Sequence, residues 1–132
     1  MLTPVLATIY GVAFIFAGIA HFRNPQIFVD IVPSFLPFPL LLVYLTGVME
    51  IVGGIGIIHP DSRELTGRLL VLFLIAVFPA NLYMWVSDVP FNGTLLTTQQ
   101  HMLRFAVQII LIITAIFLSG DLHRLRATLS TG

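Results

Sequence analysis

The chain has 132 residues, of which 58% are hydrophobic and only 9% charged, with a mean hydropathy of +1.02 and no net charge. A soluble domain carries about 25% charged residues, so a water-solvated globule is excluded and a bilayer becomes the solvent. The six basic residues are all arginines scattered along the chain and cysteine is absent, which excludes a nucleic-acid-binding patch, thiol redox chemistry, disulfides and thiolate metal sites.

Crossing about 30 Å of hydrocarbon takes about 20 mainly apolar residues in a helix. Four stretches are long enough: residues 3–22, 39–58, 64–86 and 97–119. The expected fold is all-α, a polytopic four-helix membrane bundle forming a single domain over residues 1–132. The first span opens with Thr3 as N-cap and Pro4 at the first helical position. No Lys or Arg precedes its apolar run, so it does not read as a cleaved signal peptide. After it, Asn24-Pro25 starts a short interfacial helix over residues 25–32, and Pro33, Pro37 and Pro39 stiffen an extended return. The link from His59 to Arg63 is minimal, and Asp61 with Glu64 has capping-box spacing. In the third span Pro79 lacks an N–H, leaves the Ile75 carbonyl without its helical donor and predicts a kink. The next loop, residues 87–96, carries Asp88, Pro90 and Asn92-Gly93 as turn signals; Asn92-Gly93-Thr94 also matches a glycosylation sequon formally, but reads as an ordinary turn. Thr97 with Gln100 has capping-box spacing again, and Gly120 is a stop.

An even number of spans puts both termini on one side. Arg63, Arg68, Arg124 and Arg126 lie on that side, against Arg23 and the near-interface Arg104 on the other. The positive-inside rule then predicts cytoplasmic termini. The two longer loops, and the interface aromatics Tyr44, Tyr83 and Trp85, would face outward.

Polar side chains are rare in these spans and fall in the outward half: His21, Glu50, Asn81, His101, Arg104 and Gln108. An ionisable group at membrane depth costs roughly 2.5–3.5 kcal/mol unless it finds partners, which makes this set the candidate ligand-binding or core polar cluster. Helical spacing turns the groups inward. Gly11, Phe14, Gly18 and His21 share one face of the first span, and Gly47, Glu50 and Gly54 share one face of the second; small residues there allow close helix approach. His101, Arg104 and Gln108 form a polar line down the fourth span. Glu50 and Arg104 are the natural buried ion pair, bridged by the long arginine side chain or by water. His21, Glu50 and His101 also contain the donor types of a metal site, but no tight motif supports one. His59 and His123 fall near the inner interface and carry little information. No nucleophile stands at motif spacing from a base, and no glycine-rich phosphate loop is present; Gly53, Gly54 and Gly56 read as packing positions. Catalytic residues are therefore not assigned.

Several segments together resemble the DoxX-like family of small four-helix membrane proteins. They are Phe16-Ala17-Gly18-Ile19-Ala20-His21-Phe22 with Asn24-Pro25, Val32-Pro33-Ser34-Phe35-Leu36-Pro37, Gly47-Val48-Met49-Glu50-Ile51-Val52-Gly53-Gly54, Phe78-Pro79-Ala80-Asn81-Leu82-Tyr83-Met84, and Leu103-Arg104 with Gln108. The resemblance covers nearly the whole chain. It implies a four-helix bacterial inner-membrane protein whose shared polar residues would be His21, Glu50, Asn81, Arg104 and Gln108. In that family the arginine is often followed by an apolar residue and a proline; here Phe105-Ala106 stands instead. Its members are linked to quinone-coupled sulfur oxidation, oxidative-stress complexes and, in distant animal relatives, receptor assembly, so the resemblance constrains fold more than function. The thiol chemistry of architecturally similar thiol-quinone oxidoreductases needs cysteines that this chain lacks.

Two function classes follow. In the first, the polar cavity binds a lipophilic small molecule, a quinone or a lipid head, as part of a membrane redox system: Arg104 and Gln108 would donate to its oxygens while Glu50 or His21 manages protons. In the second, the polar cluster only rigidifies the bundle, and the protein acts as a partner-binding or assembly protein that contacts another membrane protein or its own copies. Both keep the bilayer as surroundings and neither involves nucleic acid. Retention of a co-extracted lipophile separates them.

Overall fold

A computed structural model of the chain describes residues 2–132, and among these the regular elements are all helical. The helices are α1 (Leu2–Arg23), α2 (Pro25–Val29), α3 (Pro39–Ile58), α4 (Arg63–Val86), α5 (Thr98–Ser119) and α6 (Asp121–Thr131). Of these, α1, α3, α4 and α5 are long and apolar enough to cross a membrane, with mean hydropathies between 2.0 and 2.2 over their best windows. The protein is an all-α integral membrane bundle.

Local chemistry sets most boundaries. At α5 the expected capping box forms: the Gln100 amide donates to Thr97 Oγ1 (3.2 Å) and the Thr97 amide donates to Gln100 Oε1 (2.8 Å). The other two expected caps do not. Thr3 lies inside α1, which already runs from Leu2. Ser62, not Asp61, is the N-cap of α4 and makes no side-chain cap bond; its hydroxyl instead donates to the Gly56 carbonyl (2.8 Å), while Arg63 donates to the carbonyls of Ile57 (2.9 Å) and Ile58 (2.8 Å). The short link leaves the last carbonyls of α3 in need of donors, and these side chains are drawn to that end. The interfacial helix stops at Val29, with turn bonds carrying the chain to Val32.

The Asn92-Gly93 turn is a two-residue hairpin. Both residues have positive φ (52° and 79°), as a type I′ turn requires, and Phe91 and Thr94 exchange backbone bonds of 3.0 and 3.1 Å across it. Gly120, with φ of 81°, ends α5 as its C-cap. The chain then resumes as α6, beyond the stop that the sequence predicts at Gly120. Leu122, Leu125 and Leu129 at i, i+3 and i+7, with Asp121 in the first turn, are the signal for this helix.

The bundle is built from two tight pairs, α1 with α3 and α4 with α5, joined through α3 and α4. Glycines make the first pair close. A Cβ on Gly18 would lie 2.6 Å from the Gly47 carbonyl oxygen, and one on Gly11 would collide with the Gly54 carbonyl and Ile58. The sevenfold spacing that aligns Gly11 with Gly54 also aligns Gly18 with Gly47, so the two antiparallel backbones touch twice. Near the α6 end, Ala7, Tyr10, Phe14, Ile57, Leu70, Phe73, Leu74, Ala115 and Leu118 form a continuous apolar core. The polar residues sit above it, toward the α2 end.

Candidate functional site

Five of the six sequence-predicted residues line one cavity of about 440 Å³: His21 from α1, Glu50 from α3, Asn81 from α4, and Arg104 and Gln108 from α5. Phe28 of α2 and Phe91 of the hairpin also line it. The two rings meet edge-on with centroids 6.2 Å apart, and Phe28 stacks on His21 at 3.8 Å. Aromatic rings thus cover part of the α2 end.

The sixth residue, His101, is not in the cavity. Its ring is 4% exposed and stacks on Trp85 at 5.2 Å with planes 7° apart. One turn nearer the α2 end than Arg104, it meets the tryptophan of α4 before it can reach the polar space. Its buried Nδ1 has no partner among the described residues.

The expected Glu50–Arg104 ion pair is also corrected. The Glu50 carboxylate instead lies beside His21, with Oε2 3.2 Å from Nδ1. The Arg104 guanidinium donates to Asn81 Oδ1 (2.7 Å) and contacts Met84 Sδ (3.4 Å). Packing explains the exchange. The glycine contacts hold Glu50 against α1, whereas α5 packs on α4, so each charge meets its own pair partner before it meets the other. The cavity lies between them.

On the α4–α5 side the polar groups form a relay. Arg104 donates to Asn81 Oδ1, Asn81 Nδ2 donates to Gln108 Oε1 (2.8 Å), and Gln108 Nε2 donates to the Leu74 carbonyl (2.7 Å). The free acceptor is expected at Ile75, whose helical donor Pro79 lacks; Gln108 instead engages the preceding carbonyl, that of Leu74. Helix α4 nevertheless continues from Arg63 to Val86 as one element. Each amide uses both ends.

The α1–α3 side is less satisfied. His21 Nδ1 lies 2.8 Å from the Ala17 carbonyl, an oxygen that can only accept, so this nitrogen carries hydrogen and directs it to the backbone. Glu50 Oε2, although only 3.2 Å from the same nitrogen, is therefore left buried without a hydrogen-bond donor. Across the cavity Arg104 has five N–H groups, and the described partners are one amide oxygen and one sulfur. An unmet acceptor and an arginine with spare donors line one cavity. Among the described residues no cluster of three His, Cys, Asp or Glu could hold a metal ion, consistent with the removal of His101 from the set.

Fold and site together define an integral membrane four-helix bundle with a partly covered polar cavity near one end. The chain belongs to the family described as Domain of unknown function (DUF8561), which matches residues 10–119. No curated protein and no solved structure matches it.

Proposed function

We propose that this is a DoxX-like membrane protein whose cavity binds a lipophilic molecule with an oxygen-bearing head, a quinone or a lipid, as part of a membrane redox system. The observation that carries the reading is the cavity's two unmet poles: Glu50 Oε2 lacks a donor, and Arg104 retains donors beyond those used by Asn81 and Met84. A head with a hydroxyl and a carbonyl or phosphoryl oxygen complements both, the hydroxyl donating to Glu50 and the oxygen accepting from Arg104. The buried Glu50 oxygen left without a donor costs about 1–3 kcal/mol, and such a head would relieve that cost. His21, directed to Ala17 through Nδ1, keeps Nε2 as the ring nitrogen available for proton exchange when neutral. In this reading the α2 end faces outward and both termini are cytoplasmic, in a bacterial inner membrane.

The competing reading, a partner-binding or assembly protein with a purely structural polar core, draws on the relay from Arg104 to Leu74, because it ties α4 to α5 without a ligand. Mass spectrometry of protein purified in mild detergent separates the two. Wild type should carry a lipophile, and Glu50→Gln and Arg104→Met should lose it while helical content is retained. If wild type carries none and binds none of an added quinone or phospholipid series, ligand binding is rejected and the assembly reading replaces it.

A further inference from the structure

The polar cavity has an apolar neighbour. A second cavity of about 190 Å³ lies between the α2-end halves of α3 and α4 and shares the walls formed by His21, Phe28, Glu50 and Phe73. Its own walls include Val43 and Thr46 on α3 and Ala76 and Ala80 on α4, with Pro33 and Leu36 of the connecting loop at its edge. The Thr46 hydroxyl is already bonded to the Val43 carbonyl (2.9 Å). Beyond the shared wall, this side-chain lining therefore presents no unmet polar group. Ala76 is exposed and Ala80 half-exposed on a helix that spans the bilayer; at i and i+4 they share one face, and two methyl groups cannot close the gap. The α2 end, by contrast, is covered in part by the Phe28–His21 stack and by Phe91.

From this juxtaposition we infer that the ligand is a single-tailed amphiphile that reaches the cavity sideways from the bilayer, its head between Glu50 and Arg104 and its tail lying in the α3–α4 gap along Thr46, Ala76 and Ala80. The inference rests on the binding reading above and adds the ligand's shape and route. An apolar tail on this path never leaves an apolar environment, whereas access past the aromatic cover would carry it through water. The shared wall at Glu50 is where head and tail divide.

The test uses two benzoquinols kept reduced, whose hydroxyls can donate to Glu50 and accept from Arg104, one bearing a decyl tail and one bearing only methyl groups, bound to the full-length protein in lipid nanodiscs with concentrations expressed per lipid. Wild type should favour the decyl compound by roughly tenfold or more, and Ala76→Leu with Ala80→Leu should cut that preference to about threefold or less while the methyl compound's Kd stays within about twofold. A preference that survives the double substitution, or is absent from wild type while both compounds bind, overturns the lateral route and leaves the head site standing. If neither compound binds wild type, the quinone-binding reading falls and this inference falls with it. A second measurement does not depend on the leucine variants folding. The chain has no native cysteine, so Ala80→Cys can be labelled with a bilayer-soluble maleimide. The decyl compound should slow labelling there but not at Leu45→Cys, which is exposed elsewhere on α3; equal rates at Ala80→Cys with and without the compound overturn the route.

Discussion

The relay between α4 and α5 contains three interhelical hydrogen bonds: Arg104 to Asn81, Asn81 to Gln108, and Gln108 to the Leu74 carbonyl. Asn81→Ala removes the first two, Gln108→Ala removes the last two, and the middle bond is common to both. Interhelical bonds inside membrane proteins average about 0.6 kcal/mol and reach about 1.7. Each single substitution should therefore cost about 1.2 kcal/mol, with an upper bound near 3.4. The truncated side chains adjoin space that is already open, so a fresh cavity adds little. Because the shared bond can be lost only once, the double variant should be less destabilised than the two singles combined by about 0.6 kcal/mol. The assay is unfolding in mixed micelles as the denaturing detergent fraction rises, followed by helical circular dichroism. Trp85, the chain's single tryptophan, stacks on His101 between α4 and α5 and reports the separation of that pair independently. Strict additivity, or singles indistinguishable from wild type, would refute the relay.

Gly47→Ala should cost about 1–3 kcal/mol through overpacking, because the added methyl would stand 2.8 Å from His21 Cβ and 2.9 Å from the Phe22 ring; an unchanged unfolding midpoint rejects the close approach of α1 and α3. Asp121, outside the spans, has its carboxyl drawn down from 3.8 to about 2, chiefly by the hydrogen bond from Arg68, which it engages through both oxygens at 2.8 and 2.9 Å. A lowered folded value means that its contribution is present above the ordinary carboxylate range and lost as pH falls through about 2. Protection factors of the α6 amides, referenced to the intrinsic exchange rate at each pH, should thus be steady at neutral and mildly acidic pH and fall between about 4 and 2; a fall centred near neutrality contradicts the Arg68–Asp121 anchor. For orientation, Gly93→Cys in the hairpin should react with a membrane-impermeant maleimide added outside intact cells, and a tag after Gly132 should remain protected, whereas the reverse pattern inverts the topology.

The spans, the glycine contacts and five members of the polar cluster were legible because each follows from a fixed helical repeat. Gly11, Gly18, Gly47 and Gly54 declare a close approach by spacing alone, and Asn92-Gly93 declares its turn by the positive φ it must adopt. What one helix's spacing cannot supply is which neighbour a long side chain meets. His101 shares a stripe with Arg104 and Gln108, yet Trp85 of α4 occupies the space it faces. The Glu50–Arg104 pairing failed for a related reason: opposite charge and similar depth say nothing of which helices pair. Helix α6 was missed because Gly120 reads equally as the end of helical structure or as a bend between two helices, and its leucine stripe falls among too few residues to dominate the local composition.

A direct Glu50–Arg104 pair would be the economical arrangement for a core that had only to hold together. Isolated charges at membrane depth cost roughly 2.5–3.5 kcal/mol each on insertion scales, and a bonded pair would offset part of that. Instead, backbone contacts fix Glu50 on the α1–α3 pair, the amide relay fixes Arg104 on the α4–α5 pair, and the bond that would neutralise both is missing across a cavity they both line. The relay shows that this sequence can satisfy buried polar groups where it is built to do so, since Asn81 and Gln108 each use both ends of their amides. Two partly satisfied charges beside a well-satisfied relay depart from local economy, as the buried His101 Nδ1 does outside the cavity, and such departures concentrate at functional sites. The mismatch is the ground on which we propose a molecule between Glu50 and Arg104 rather than a purely structural core.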